Sequence, residues 1–241
     1  MSGGLGAAHV PATSGVIVRS VRLADVGPDR EAFLERAELA RAAGIKDAQT
    51  RRDFLAGRIA LRNLAAGLLG VRPGQLTAAY SCPDCGTGPE VDHGQPGYRL
   101  DGAPAGISLS LSRCRGWALL AAVVHREPGL RLGVDVEDPA RTDFAGFDDV
   151  ALAPAERRGL QGLPPRALLR ERGRLWARKE AWLKMAGDGL RTAPDTLDVL
   201  HRAKLRDLAP AETGLPPDLV AAVAFSEASE LSSRTGGGLR K

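Results

Sequence analysis

Apolar and polar positions recur with two different periods along this chain, and the periods predict strands and helices in turn. Alternation at every second residue predicts a strand over Val16–Leu23. Helical spacing follows over Asp29–Gly44 and Thr50–Gly70, each ending at a glycine, where helices commonly stop. Thr50 or a neighbouring residue is expected to cap the second of these helices.

The middle of the chain and its second half continue the same patterns. A loop rich in Gly, Pro and Cys, residues 81–106, precedes a strand that begins at Ile107 and alternates apolar residues with serine. The patterns then predict, in chain order, a strand over Trp117–Val124, a strand over Leu130–Asp138, a short helix within residues 153–165, a long helix over Pro165–Gly187, and closing strands over Asp195–Leu200 and Asp218–Glu227.

This order of elements predicts an α+β fold made of two similar halves with a pseudo-twofold relation. Each half is expected to be a small antiparallel sheet packed with helices. We place the first half at residues 15–126 and the second at residues 127–227. Residues 1–14 and the Ser- and Gly-rich residues 228–241 are expected to be a disordered leader and a disordered tail.

Composition narrows the classes of protein that fit this fold. The chain has 241 residues, of which 44% are hydrophobic, but no apolar run approaches the roughly 18 residues that a membrane span needs. The N-terminus lacks a signal-peptide pattern, and three cysteines argue against a disulfide framework, so we expect a cytoplasmic protein. A net charge of +4 with 4% aromatic residues argues against nucleic-acid binding and suits an anionic small ligand or an acidic protein partner.

Two carboxylates on one strand are the first candidates for chemistry. Asp135 and Glu137 are two residues apart and therefore project from the same face of the strand. Such a pair repels unless a cation or a donor lies between the two groups, and Mg²⁺ prefers oxygen ligands of this kind. A solvated acidic strand end is the alternative interpretation.

The long helix adds a third carboxylate and two lysines. Trp176, Glu180 and Lys184 are four residues apart and form one stripe, with Lys179 beside it. Lysine accounts for only five of the 33 basic residues, so two in one stretch indicate a chemical role. Glu180 and Lys184 suit an Mg²⁺–diphosphate site, where an ammonium group neutralises the leaving group. A surface ion pair is the alternative.

These residues and their neighbours resemble the motifs of a known family. The segment "GVDVED", followed about forty residues later by "WARKEAWLKMAGDGL", is similar to the signature pair of the 4′-phosphopantetheinyl transferases of the surfactin-synthetase-activating type. The segment "RRDFLAGRIALRNL" resembles the first-half helix of that family, "HGQP" its (H/Y)GKP loop, "SLSLS" its (N/S)xSHS strand and "APAERR" its acidic short helix. The resemblance spans roughly residues 50–226.

The resemblance implies an activity and a set of roles. Enzymes of this family move the 4′-phosphopantetheine group of coenzyme A onto a serine of an acyl or peptidyl carrier protein and release 3′,5′-ADP, often in natural-product biosynthesis. By motif, Mg²⁺ would be held by Asp135, Glu137 and Glu180, with Glu180 deprotonating the serine and Lys184 stabilising the diphosphate. Coenzyme A would be contacted by Arg51, Arg52, Arg58, Ser110, Ser112, Arg113, Lys179 and Lys184. A chain with both halves is expected to work as a monomer.

The sequence departs from the family pattern at two positions near the expected 3′-phosphate of coenzyme A. Leu111 stands where the family usually has His, and Gln95 stands where it usually has Lys. Leucine cannot donate a hydrogen bond and glutamine carries no charge. We expect Arg113, Arg115 or His93 to substitute, or else the discrimination against dephospho-coenzyme A to be weaker.

The loop "CPDCGTGPEVDHG" contains Cys82, Cys85 and His93, three candidate zinc ligands. A structural zinc site needs four ligands, and the only other cysteine is Cys114, at the end of a strand. We therefore favour a pair of reduced thiols over a zinc site.

Two further features of the sequence, and the class of activity itself, allow more than one interpretation. A run of arginines in the long helix is either a solvated face or a surface that steers an acidic carrier protein: Arg166, Arg170, Arg172, Arg174 and Arg178. Glu156, in the acidic short helix, is expected to support the metal site from outside. Because the chain lacks a Gly-rich phosphate loop, another class of Mg²⁺-dependent phosphoryl or nucleotidyl transferase is disfavoured. A paralogue that binds coenzyme A or carrier protein without catalysis is the remaining alternative.

Overall fold

The computed structural model describes residues 15–27, 33–88, 90–125 and 130–227. Its strands are β1 (Ile17–Arg22), β2 (Leu76–Ala78), β3 (Tyr80–Cys82), β4 (Gly86–Gly88), β5 (Tyr98–Leu100), β6 (Ala103–Pro104), β7 (Ile107–Cys114), β8 (Trp117–Val124), β9 (Leu130–Glu137), β10 (Leu205–Leu208) and β11 (Val220–Glu227). Its α-helices are α1 (Arg36–Gly44), α2 (Ala48–Leu69), α3 (Phe147–Ala151), α4 (Pro154–Gly159), α5 (Pro165–Ala186) and α6 (Pro210–Thr213).

Two three-stranded antiparallel sheets form the centre of the molecule. The first has the order β1-β8-β7 and the second the order β10-β11-β9. Apolar residues on one face of each sheet pack against the other sheet, among them Val18 and Leu119 from the first and Val134 and Val223 from the second. Helix α2 covers the outer face of the first sheet and α5 that of the second. The predicted α+β fold with small antiparallel sheets is confirmed.

Helix α2 has well-defined ends. Its N-cap is Asp47, whose carboxylate accepts a hydrogen bond from the Thr50 backbone N–H at 2.7 Å, so the cap lies three residues before Thr50. At the other end Gly70 adopts the left-handed conformation, with φ of 69°. The helix is therefore longer at its start than the sequence indicates.

Helix α5 lies unusually close to β9 because of Gly133. A Cβ atom at that position would come within 1.9 Å of the Ala181 carbonyl oxygen, so only glycine permits this contact. The close approach places the C-terminal part of α5 against β9, and with it the side chains of Glu180 and Lys184 beside Asp135.

Three predicted elements need correction or fall partly outside the described residues. The strand predicted over Asp195–Leu200 is wrong: this segment holds a 3₁₀ turn and irregular backbone, and the outer strand of the second sheet is β10. The first predicted helix begins at Arg36, while residues 28–32 lie outside the description. The predicted leader and tail also lie outside it.

None of the helices in the described part of the chain is long and apolar enough to cross a membrane.

Candidate functional site

A cleft of about 1580 Å³ opens between the two halves. The first half lines it with Arg58 from α2, Arg113 from β7 and the loop that carries Cys82 and His93. The second half lines it with Lys184 and with the turn that follows α5, residues 187–192. The cleft is basic at the end that the first half forms. At the other end its lining residues Ser112 and Lys184 contact Asp135, and its lining residue Arg141 lies 3.9 Å from Glu137.

Asp135 occupies the middle of the site and is only 2% exposed. Its Oδ1 atom accepts hydrogen bonds from the Ser112 hydroxyl at 2.7 Å and from the Lys184 ammonium at 2.6 Å. Its Oδ2 atom is buried and has no partner within the described structure. A buried carboxylate oxygen without a donor is costly, so this atom is suited to a bound cation.

Glu137 and Glu180 surround Asp135 with more negative charge. Burial, together with the charge of Asp135, raises the pKa of Glu137 to about 7, although Arg141 and Lys184 oppose the shift. Burial and Asp135 raise the pKa of Glu180 in the same way, and Lys184 opposes this as well. The three carboxylates therefore favour a positive charge among them, and perturbed acids in a cleft are typical of functional sites.

The donor set fits a hard divalent cation such as Mg²⁺. It consists of carboxylate oxygens on β9 and α5, and the free Asp135 Oδ2 is the best-placed ligand atom. The carboxylate oxygens of all three residues are not gathered within 4.8 Å; in the described chain that spacing is found only for Cys82, Cys85 and His93. Mg²⁺ commonly keeps several waters, so a site with one or two direct protein ligands is compatible with this spacing.

The serines of β7 bond to neighbouring groups of the second half, and two of them, Ser110 and Ser112, also line the cleft. Ser110 is 3% exposed, and its Oγ accepts a hydrogen bond from the Val134 backbone N–H at 3.0 Å. Ser112 is 8% exposed and holds Asp135. Ser108 donates to the Leu130 carbonyl oxygen at 2.5 Å. Their bonds to Leu130, Val134 and Asp135 of β9 join the two halves.

Lys179 is also placed differently from the sequence interpretation. Its side chain is 0% exposed, pairs with Glu156 at 2.7 Å, and donates to the carbonyl oxygens of Pro194 and Leu197. Glu156 accepts from the backbone N–H groups of Ala153 and Val199. The expectation that Lys179 contacts coenzyme A is therefore wrong in this structure, and Glu156 is a core group rather than a support of the carboxylate site.

Of the three arginines on α2 that were predicted to contact coenzyme A, one lines the cleft and two do not. Arg51 donates to the carbonyl oxygen of Ile45 at 3.0 Å, and Arg52 donates to Gln49 at 2.6 Å; neither lines the cleft. Arg58 does line it, is 8% exposed, and stacks 4.0 Å above the ring centroid of Tyr80. The side chains of Arg51 and Arg52 therefore bond to groups at the start of the helix.

Arg113 lies beside Arg58 and gives the cleft its positive end. No described residue forms a hydrogen bond or ion pair with its guanidinium, which lies 5.3 Å from the Phe54 ring centroid. Burial and the charge of Arg58 lower the pKa of Arg113. Gly57 makes room for it, since an added Cβ would approach the Arg113 Cδ to 2.9 Å. An unpaired, desolvated guanidinium here is suited to an anionic ligand.

The two departures from the family pattern also line the cleft. Leu111 packs with the apolar face of α2, and Gln95 pairs by its backbone with Ser81. Arg115 also lines the cleft, but its guanidinium is already paired with Asp218 and lies 3.7 Å from Asp138. Of the three proposed substitutes, Arg113 thus has the freest cationic group.

The arginine run on α5 is mostly engaged in ion pairs. Arg172 binds Asp148 through two contacts of 2.7 Å, Arg174 and Arg178 both contact Asp207, and Arg170 donates to the Pro217 carbonyl. These contacts favour a structural role over a steering surface for most of the run.

The sequence interpretation did not identify several residues that line the cleft, among them two arginines that are held by ion pairs. Arg41 in α1 and Arg191 after α5 both line the cleft, where they pair with Asp92 at 3.0 Å and Asp84 at 3.3 Å. Neither lies in a recognisable motif, so no sequence signal marked them.

Comparison with known proteins shows which family part of this chain resembles. Residues 131–227, which carry all three carboxylates and Lys184, match the family model of the 4′-phosphopantetheinyl transferase superfamily.

A curated relative extends the similarity beyond that domain. The 4′-phosphopantetheinyl transferase HetI of Nostoc sp. strain PCC 7120 is 34% identical to this chain over 163 residues. The alignment covers 67% of this chain and 63% of HetI, so the chain matches less than two thirds of that relative's length.

Proposed function

We propose that this protein is a phosphopantetheinyl transferase of the surfactin-synthetase-activating type, a holo-carrier-protein synthase. It would transfer the 4′-phosphopantetheine group of coenzyme A to a serine hydroxyl of an acyl or peptidyl carrier protein in an Mg²⁺-dependent reaction. The observation that carries the proposal is the Asp135–Lys184 pair at a cleft between two halves, flanked by Glu137 and Glu180, with the free Oδ2 of Asp135 beside it.

The second half supplies the groups for the reacting phosphate. Asp135, with Glu137 and Glu180, would hold Mg²⁺, and the bound ion would neutralise charge on the diphosphate of coenzyme A. Ser112 and Lys184 fix the Asp135 carboxylate through Oδ1 and so leave Oδ2 free for this task. Glu137 contributes a carboxylate that burial has made a weaker acid, so its proton is given up on cation binding.

The first half supplies the groups for the rest of coenzyme A. Arg58 and Arg113 place two guanidinium groups at one end of the cleft, and Arg113 has no competing partner in the described chain. Guanidinium groups bind phosphate through paired hydrogen bonds. We assign the 3′-phosphate of the nucleotide to this end.

The transfer step needs a base and a cation at the bond that breaks. The serine hydroxyl of the carrier forms a new P–O bond to the β-phosphorus, the one that bears the pantetheine arm, and its proton passes to Glu180 directly or through water. The P–O bond to the adenosine phosphate breaks, and 3′,5′-ADP leaves with the electron pair. Lys184 would stabilise the charge on the leaving oxygen. Burial and the charge of Asp135 raise the pKa of Glu180, which makes its carboxylate a stronger base.

Intact mass spectrometry of an apo carrier protein tests the proposal. The carrier is incubated with the purified protein, Mg²⁺ and coenzyme A, and we expect it to gain the mass of one phosphopantetheine. Glu180→Gln should reduce the rate on the order of 10²–10⁴-fold. Glu171→Gln is the matched control, because Glu171 lies on the same helix, pairs with Arg174 and is remote from Asp135.

Two further results would redirect the proposal. Coenzyme A binding without any mass gain on several apo carriers would favour a non-catalytic binding module. A parallel reaction with dephospho-coenzyme A measures what Leu111 and Gln95 cost. We expect a weakened preference for coenzyme A, and a large preference would show that Arg113 and its neighbours replace the missing groups.

The remaining expectations belong to this proposal as well. A chain that contains both walls of the cleft should act as a monomer, and a cytoplasmic location suits its reduced cysteines. Natural-product assembly enzymes are the expected source of the carrier protein.

A further inference from the structure

The loop between β3 and β5 gathers three soft ligand atoms at the rim of the cleft. The sulfur atoms of Cys82 and Cys85 and a ring nitrogen of His93 all lie within 4.8 Å of one another. The Cys85 sulfur is 3.4 Å from Nε2 of His93. Two thiols and an imidazole are the ligands that Zn²⁺ prefers.

The surroundings of His93 resemble the outer contacts of a metal-bound histidine. Its Nδ1 atom lies 2.8 Å from the Asp92 carboxylate, which leaves Nε2 directed to the cysteines. Histidines that bind metals commonly donate their second ring N–H to a carboxylate, which fixes the tautomer and the ring. Asp92 is itself held by Arg41 at 3.0 Å, so this orientation is maintained by a second partner.

The backbone of the loop is shaped around the cysteines. The N–H groups of Asp84 and Cys85 hydrogen-bond to the Cys82 sulfur. Gly86 follows with φ of 82°, a conformation that favours glycine. A Cβ at Gly94 would lie 2.2 Å from the Ser81 carbonyl oxygen, so glycine there lets the His93 segment approach the cysteine turn. Backbone bonds of 2.9 and 2.8 Å between Ser81 and Gln95 hold this approach.

We propose that Cys82, Cys85 and His93 bind one Zn²⁺ ion, with the fourth position left to water. Two thiolates and a neutral imidazole give a neutral complex, and binding releases the protons of the thiols. Zinc sites with three protein ligands and a water in the fourth position are known in enzymes. The lack of a fourth protein ligand among the described residues is therefore compatible with a bound metal. Cys114 remains outside the site, as a buried residue of the core between the sheets.

The metal would hold one wall of the cleft in place. Asp92, next to the ligand His93, accepts from Arg58 through its backbone carbonyl at 2.8 Å and from Arg41 through its carboxylate. Both arginines line the cleft, so the ligand loop and the basic end of the cleft form one connected unit. This expectation rests on the proposed function: removal of the metal should raise the KM for coenzyme A more than it lowers kcat.

The metal content is measured first, without any assay of activity. The full chain is purified in chelator-free buffer supplemented with Zn²⁺, passed through desalting, and analysed by elemental mass spectrometry; we expect about one zinc per chain. Replacement by Co²⁺ should give a thiolate charge-transfer band and the visible bands of a tetrahedral ion. Cys85→Ser and His93→Gln should lose both signals, and Asp92→Asn should weaken affinity about 10–100-fold.

Matched variants keep the test specific. His201→Gln changes an exposed histidine outside the cluster, and Cys114→Ala removes the remaining thiol; both should retain full metal content in the folded protein. Wild-type protein with less than about a tenth of a zinc per chain and no cobalt spectrum would overturn the proposal, as would a Cys82–Cys85 disulfide in freshly isolated protein. These results do not depend on transfer activity, so a failure of the metal site and a failure of the proposed function are separable.

Discussion

Helices α2 and α5 each carry a cation that is buried among groups of its own half and another that lines the shared cleft. In α2, Arg62 is 2% exposed and contacts Glu38 at 3.1 Å, while Arg58 lines the cleft. In α5, Lys179 is fully buried against Glu156, while Lys184 lines the cleft and holds Asp135.

The difference between the two kinds of cation lies in their partners. The buried cations are surrounded by carbonyl and carboxylate oxygens of their own half, such as the Leu76 carbonyl for Arg62 and the Pro194 carbonyl for Lys179. Lys184 instead reaches a carboxylate that still has a free oxygen. Charge in the core fixes the position of a helix, whereas charge at the cleft is available for chemistry.

The largest effect on stability is expected at Lys179. Lys179→Met leaves the Glu156 carboxylate buried without its cation, which should lower the free energy of unfolding by about 3–5 kcal/mol. Urea denaturation measures the change. Protein that remains folded should keep its transfer rate, and a selective loss of rate at unchanged stability would restore Lys179 to the coenzyme A site.

The largest effect on the reaction among these cations is expected at Lys184. Lys184→Gln removes the charge but keeps a group able to donate to Asp135, so the transfer rate should fall about 10²–10³-fold. Because the lysine side chain is 31% exposed, the unfolding free energy should change little. An unchanged rate would mean that the pair with Asp135 is only structural.

A smaller effect is expected from the protonation of Glu137 in metal-free protein. The pKa of Glu137 is about 7 in the folded chain and near 4.5 when unfolded, so the folded state holds the proton more tightly. Stability should therefore fall by about 1.4 kcal/mol per unit as pH rises between about 5 and 7, and change little from this source above 7.

Urea denaturation in EDTA at several pH values measures how the free energy of unfolding depends on pH. The contribution of Glu137 is the difference in this dependence between the wild type and a variant. Glu137→Gln should remove that part of the slope, whereas Glu90→Gln, outside the carboxylate group, should leave it in place. Identical slopes for wild type and Glu137→Gln would show that this carboxyl is not destabilised in the folded protein.

The smallest effect on the reaction is expected at the arginines of α2, of which only some line the cleft. Arg58→Gln should raise the KM for coenzyme A about tenfold, as expected for one charge-assisted phosphate contact. Arg52→Gln should leave it unchanged, because that side chain donates only to Gln49 and lies outside the cleft. Equal effects at both positions would contradict the division of the helix into a cleft face and a supporting face.

Much of this fold could be predicted from the sequence, because the patterns that indicate helices and strands are local. Period-2 alternation located β1, β7 and β9, a continuous apolar run located β8, and helical spacing with terminal glycines located α2 and α5. The sequence did not indicate β10, because this strand is only four residues long. It wrongly indicated a strand over residues 195–200, because the apolar residues of this segment have a strand-like pattern although they fill the core under α5. Short segments take their conformation from packing, which no local pattern reports.

The candidate site was predicted in part for the same reason. The spacing of Asp135 and Glu137 on a strand, and of Glu180 and Lys184 on a helix, fixed which side chains share a face. It did not show that Ser110 and Ser112 point into the second sheet, or that Lys179 turns into the core. Those outcomes depend on which face of an element is covered by a neighbour distant in sequence.

The sequence alone therefore determined the identity and grouping of the charged residues along each element. Only the tertiary structure decided which of them are buried and which reach the cleft, because burial depends on contacts such as the approach of α5 to Gly133 of β9. The same holds for Cys82, Cys85 and His93: their types are evident in the sequence, but the pairing of Ser81 with Gln95 brings them together. A side chain's chemistry is set by its atoms, and its function is set by the distances that folding imposes.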